Sequence, residues 1–99
     1  MAENSVNPSP LRFEWDPEKA RRNRQSHDVA FEEAQTVFDD PHARVMDDPD
    51  HSLDEERAII IGYSARNRLL FVSFAARGDV IRIISARRAD RLERKLYED

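Results

Sequence analysis

Three stretches near the C-terminus decide the fold: residues 57–64 (RAIIIGYS), 69–76 (LLFVSFAA) and 80–86 (VIRIISA). Each is short, rich in β-branched and aromatic residues, and bounded by turn formers, which predicts a strand. The links between them, 65–68 (ARNR) and 77–79 (RGD), have hairpin length. An antiparallel meander follows. The runs Ala58-Ile59-Ile60-Ile61 and Leu69-Leu70-Phe71-Val72 do not alternate with polar residues, so both faces of the sheet are expected to be at least partly covered.

Upstream, Leu11-Arg12-Phe13-Glu14-Trp15 alternates with the period of a half-buried strand, placed at an edge. Asp16-Pro17 opens a helix, with aspartate as N-cap acceptor, proline where its missing donor costs nothing, and Glu18 facing the positive end of the dipole. This helix runs to about His27 and contains one apolar residue, Ala20. If Ala20 faces the body, Asn23, Arg24 and His27 share its side. Phe31, Ala34 and Phe38, with Ala30 and Val37 beside them, predict a second, amphipathic helix ending near Asp40-Pro41. Residues 42–46 are a weak strand, and 47–56 (DDPDHSLDEE) an acidic loop. Asp90 and Glu93 form a capping pair for a last helix through Tyr97, with Leu92 and Leu96 as its expected buried side. The predicted class is α+β: a small antiparallel sheet, two N-terminal helices packed on it, and a short C-terminal helix. The chain divides into a disordered tail, 1–10, and a single domain, 11–99.

With 99 residues, one core is affordable and two are not. The absence of cysteine rules out disulfides, thiol-ligated metals and cysteine nucleophiles. Apolar runs of six to eight residues fall well short of the roughly 20 needed to cross a bilayer, and the first ten residues lack the pattern of a secretion signal. A cytoplasmic protein without a membrane partner is expected. Net charge is −4, but it is segregated: residues 1–27 carry five basic and four acidic side chains, 28–56 one and eleven, 57–99 ten and five. A basic face can coexist with that total, because local potential is what steers a polyanion.

The sequence has no glycine-rich phosphate loop, no nucleophile elbow and no His-x-x-x-His pair. No cofactor is implied. The acidic loop around His51 is either a divalent-cation site or a solvated loop, and its spacing matches no known calcium or magnesium loop. Arg82 interrupts an apolar strand, so it needs a carboxylate such as Glu56 or Glu14, or else a phosphate. Arg87 and Arg88 follow at the strand exit and face solvent or ligand. Arg66 and Arg68, on a hairpin tip, are plain surface charges or contacts to a nucleic-acid backbone. His27 either caps helix carbonyls or moves protons, the imidazole's ordinary pKa of about 6.5 suiting it to both.

Phe13-Glu14-Trp15-Asp16-Pro17, Lys19-Ala20, Asn23, His27, Phe31-Glu32-Glu33-Ala34 and Val37-Phe38-Asp39-Asp40-Pro41, in that order, resemble the opening of the BrnT toxins. So do Asp48-Pro49-Asp50-His51-Ser52, Glu55-Glu56-Arg57, Ile61-Gly62, the string from Arg82 to Ala89, Glu93-Arg94 and Tyr97-Glu98. Where the family usually carries Lys-His-Gly-Val-Ser, this chain has Ser26-His27-Asp28-Val29-Ala30; aspartate tolerates a left-handed joint, so the turn should survive. The resemblance implies a RelE-like fold and a type II toxin that inhibits growth by cleaving RNA. It implies a BrnA-like ribbon-helix-helix antitoxin, a toxin–antitoxin heterotetramer as the assembly to expect, and operator DNA contacted only through the antitoxin.

Metal-free RNA cleavage uses the 2′-OH as nucleophile and needs a proton acceptor, cations for the charge at phosphorus, and an acid for the departing 5′-oxygen. Arg82 and Arg87 are the candidate cations, and His27 the acid–base with Glu56 as a less favoured base. Lys19, Arg22, Arg66 and Arg88 are the candidate backbone contacts. The expectation is that these guanidiniums and His27 converge on one open cavity. The rivals are a non-catalytic partner of a DNA-binding antitoxin acting in operon autorepression, and a metal-dependent nuclease built on the acidic loop.

Overall fold

A computed structural model of the protein describes residues 11–48 and 57–99. The proposed tail, most of the acidic loop and Glu56 lie outside the described residues. Within them the order is β1 (Arg12–Glu14), α1 (Pro17–His27), α2 (Phe31–Gln35), a 3₁₀ turn (Thr36–Asp39), β2 (Arg44–Asp47), β3 (Arg57–Tyr63), β4 (Leu69–Arg77), β5 (Val80–Arg88) and α3 (Arg91–Glu98). The five strands form one sheet in the order β1-β5-β4-β3-β2.

The meander β3-β4-β5 is antiparallel, as is β2 against β3. The sheet as a whole is mixed, correcting the antiparallel expectation. β1 lies parallel to β5, pairing Arg12 with Val80 and Glu14 with Arg82. Parallel neighbours need a long crossover, and here everything from α1 to β4 supplies it. Alternation inside β1 identifies an edge strand but carries no sign of its direction.

One face of the sheet holds the main core. Val29, Phe31, Ala34 and Val37 pack on Ile60, Leu70, Val72, Phe74, Ile81, Ile83 and Ala86. Burying a side chain such as Phe31 or Leu70, both fully enclosed, stabilises the fold by about 1.5–3 kcal/mol. Phe38 links Phe13 and Phe74 edge to face, with ring centroids 5.2 and 5.0 Å apart. The second predicted helix is shorter than its apolar pattern, five residues of α-helix tightening into the 3₁₀ turn. The Thr36 hydroxyl donates to the Glu33 carbonyl at 2.7 Å and accepts from the Ala65 amide at 2.8 Å, and Pro41 disfavours a helical Asp40.

Two polar anchors fix the helices. Asn23, buried in α1, donates to the carbonyls of Val29 and Ala86 at 2.9 and 2.8 Å and accepts from the Ala86 amide at 3.1 Å. Its side chain takes the place of a neighbouring strand where β1 no longer flanks β5. Asp28 ends α1 in the left-handed conformation (φ 57°), the joint the sequence suggested.

The second face is covered at one corner, by α3. Leu92 and Leu96, expected to be its buried side, are 72% and 47% exposed. Tyr97 and Glu93 dock the helix instead. Tyr97 packs edge to face on Tyr63, centroids 5.3 Å apart, and its hydroxyl donates to Asp40 at 2.8 Å. Burial, with the Asp40 carboxylate second, pushes the Tyr97 phenol up to about 12. The Asp90–Glu93 capping box forms as predicted. No helix among the described residues is long and apolar enough to cross a membrane.

Candidate functional site

β5 carries three of the predicted site residues, Arg82, Arg87 and Arg88. Its register against β4 shifts between Ser73 and Phe74, which face Ser85 and Ile83 and leave Ile84 without a partner. This bulge bends the strand and re-aims its side chains. Ile81 and Ile83 point into the helix-covered core, so Arg82 between them points to the second face.

Arg82 meets Glu14, its register neighbour on β1, at 3.3 Å; the two side chains are 46% and 55% exposed. An exposed pair of this kind contributes about 0–1 kcal/mol and yields easily to a phosphate. Ala75, Arg77 and Val80 complete the surroundings of a 450 Å³ cavity with Arg82 and Glu14.

Arg87 lies over the Phe71 ring at 4.2 Å and makes two 2.8 Å bonds to Glu93, the residue that also closes the α3 capping box. Its guanidinium thus holds α3 on the sheet. Its Nε is left over from that pair among the described residues.

His27 lies on another surface. It lines a shallow 220 Å³ pocket with Lys19, Arg22, Asn23, Ser26 and Ile84. Three predicted residues, His27, Lys19 and Arg22, therefore come together, on successive turns of α1. No carboxylate lines the pocket, although Glu18 reaches Arg22 at 3.4 Å. The imidazole makes no hydrogen bond among the described residues, and the Asp28 amide meets the Arg24 carbonyl, so His27 is not the helix cap.

Arg88 lies apart from both, in a 460 Å³ cavity with Tyr63, Asn67, Arg68 and Arg94. Arg66 is solvent-exposed, 3.8 Å from Glu33. The single shared cavity expected from sequence is not the arrangement seen: the candidates are distributed around β5, with Ile84 between Arg82 and Arg87 along the strand.

Sequence reasoning missed one network. Glu33 is buried and ion-paired to Arg68, whose Nε reaches it at 2.9 Å and whose Nη2 reaches it and the Asp28 carbonyl. Ser64 donates to the same carboxylate at 2.7 Å. The Arg68 bonds, against a desolvation that works the other way, hold Glu33 below the usual carboxylate range. Arg68 looked like a hairpin-tip charge, and a pair formed between residues 35 positions apart leaves no local signal in the sequence. Among the described residues no cluster of three His, Asp or Glu side chains could hold a metal ion.

In comparisons with known proteins, the sequence profile of the family described as "Ribonuclease toxin, BrnT, of type II toxin-antitoxin system" matches residues 15–93. Among curated proteins, none matches. The crystal structure of the Brucella abortus ribonuclease toxin BrnT superposes with a TM-score of 0.62 at 21% identity, covering 82% of this chain and 99% of that one; this shows a shared fold. With the profile spanning most of the domain, the chain belongs to the BrnT family of ribonuclease toxins of type II toxin–antitoxin systems.

Proposed function

We propose that the protein cleaves RNA without a metal ion, at a site astride the β5 bulge, in the manner of RelE-type ribonucleases. The observation that carries this reading is the pocket grouping His27 with Lys19 and Arg22 against Ile84. On β5, Ile84 lies two residues from Arg82 and three from Arg87, about 7 and 10 Å along a strand. Arg82 and Arg87 lie on the opposite face of β5 from His27, so the RNA strand wraps the edge of β5 that β1 leaves open beyond Arg82 to meet both. His27 exchanges the proton of the 2′-OH or of the leaving 5′-oxygen, with Glu56 as the less favoured base. Arg82 stabilises the charge developing at phosphorus, and the spare Nε of Arg87 assists it. Lys19, Arg22, Arg66 and Arg88 hold the backbone on either side. The chain acts in the cytoplasm and is neutralised by a BrnA-like ribbon-helix-helix antitoxin in a heterotetramer that contacts operator DNA through the antitoxin.

The test is cleavage of single-stranded RNA in EDTA by the intact chain and by His27→Ala and Arg82→Ala, each checked by circular dichroism. Loss of a transition-state cation is expected to slow cleavage by about 10²–10³, and loss of the acid–base by about 10²–10⁴. Folded protein that leaves RNA uncut favours the non-catalytic antitoxin partner. An Arg82→Ala chain that fails to fold makes that residue structural. Activity abolished by EDTA points to the acidic loop instead.

A further inference from the structure

The cavity between the β3–β4 turn and the start of α3 is lined by three arginines, Arg68, Arg88 and Arg94, with Tyr63, Asn67, Leu69 and Ala89. No carboxylate lines it. Glu33 lies behind Arg68 and neutralises that one. Arg88 has no ion-pair partner among the described residues, and the one bond of the Arg94 side chain is to the Tyr63 hydroxyl, at 3.2 Å. Two uncompensated positive charges therefore face one concave space.

The walls are held rigidly. Tyr63 is braced by Tyr97, whose hydroxyl is fixed by Asp40, so Arg94 is oriented before any ligand arrives. Asn67 sits in the left-handed conformation (φ 61°), its amide bonded to the Ser64 carbonyl at 2.8 Å. Guanidinium forks match phosphate oxygens, and a 460 Å³ space exceeds what a single phosphate needs.

The cavity shares no lining residue with the His27 pocket, but one side chain links their surroundings. Arg68 donates to the carbonyl of Asp28, the residue after His27, at 3.0 Å, and Arg88 is four residues beyond Ile84 on β5, about 13 Å along the strand. We propose that this cavity is a phosphate subsite, separate from the cleavage centre, in which Arg88 and Arg94 grip a backbone phosphate of a single-stranded nucleic acid that continues from the His27 pocket over the Arg68–Asp28 joint. The identity of the polymer rests on the RNA reading above; the anion site itself does not.

The experiment uses two probes that cannot be cut through a 2′-OH: inorganic phosphate and a single-stranded 2′-deoxy oligonucleotide. Titration with either should shift the amide resonances of Asn67, Ala89 and Arg94. The oligonucleotide should bind at least 10²-fold more tightly than phosphate at equal phosphate concentration. Arg88→Gln/Arg94→Gln, at two exposed positions, should weaken oligonucleotide binding on the order of tenfold at low salt and flatten the slope of log affinity against log salt by about 0.7, the value for one phosphate of a single strand no longer neutralised. Arg88→Lys/Arg94→Lys should restore the slope. Affinity and slope unchanged in the Gln variant, or shifts confined to residues around His27, overturn the subsite. Phosphate binding as tight as the oligonucleotide overturns the polymer. Uncut RNA combined with arginine-dependent oligonucleotide binding removes the cleavage reading and leaves this one standing.

Discussion

Asn23 connects the α1 pocket to the strand that carries the arginines. Its amide satisfies both backbone groups of Ala86 and the Val29 carbonyl through buried bonds. Asn23→Ala leaves three buried groups unpaired at about 1–3 kcal/mol for each poorly resolvated one, so a loss of about 3 kcal/mol in urea denaturation is expected. RNA cleavage should fall as well, because α1 would no longer hold Lys19 and His27 against Ile84. Glu33 and Arg68 give a second expectation with a sign. The Glu33 carboxyl titrates lower in the folded chain than in the unfolded one, so its contribution is complete above the ordinary glutamate pKa of about 4.3 and is lost as pH falls through the depressed folded value. Glu33→Ala, which strands an Arg68 side chain only 14% exposed, should cost about 3 kcal/mol at pH 7 and flatten the acid limb of stability against pH. An unchanged acid limb would show that the pair does not govern acid unfolding.

Elements were legible from sequence in proportion to how far they are built from local patterns. The three long strands, the Asp16-Pro17 helix start and the Asp90–Glu93 cap are each set by residues within a few positions, and the structure has them close to where the pattern puts them. The parallel pairing of β1, the 3₁₀ end of α2 and the docking of α3 depend on partners tens of residues away. Leu92 and Leu96 have helical spacing, but the contacts that hold α3, the Tyr97 ring on Tyr63 and the bonds to Asp40 and Arg87, come from residues that this apolar spacing does not mark. The site was half legible for the same reason. Lys19, Arg22 and His27 share one helix and are found together, whereas Arg82 was placed by strand alternation without a way to see which face α1 occupies. Gly62 tests this tertiary level. A Cβ there would lie 3.0 Å from Ala43 Cβ and Val37 Cγ1, and 3.1 Å from Asp40 Oδ2, where β3 passes beneath the 3₁₀ turn. Gly62→Ala should cost about 1–3 kcal/mol by overpacking, read as a lower urea midpoint with an unchanged slope. An unaffected midpoint would mean that the turn moves aside freely.

At the scale of the molecule, the charge segregation sets the basic residues of β5 and its neighbours against an acidic middle segment. The cations around β5 attract a polyanion even though the chain totals −4, because screening limits each field to about 10 Å. The acidic middle segment divides further. Glu33 is neutralised by Arg68, and Asp40 is tied to the Tyr63 and His42 amides and the Tyr97 hydroxyl; Glu32, Asp39 and Asp47 remain exposed. Carboxylates that repel RNA are of no use to a ribonuclease, but under the proposed function they suit a basic surface on the antitoxin that the toxin–antitoxin family implies. Opposite surface charges raise association rates far more than they slow dissociation. The association rate constant with the antitoxin should therefore fall by about tenfold or more between low and high salt while the dissociation rate scarcely moves, and Glu32→Gln/Asp39→Asn/Asp47→Asn should reproduce most of that fall at low salt. Stopped-flow or surface-binding kinetics separates the two rates. An association rate indifferent to salt and to these substitutions would assign the acidic surface to solubility alone, and the antitoxin's grip would then have to come from apolar contacts such as the exposed Leu92 and Leu96 of α3.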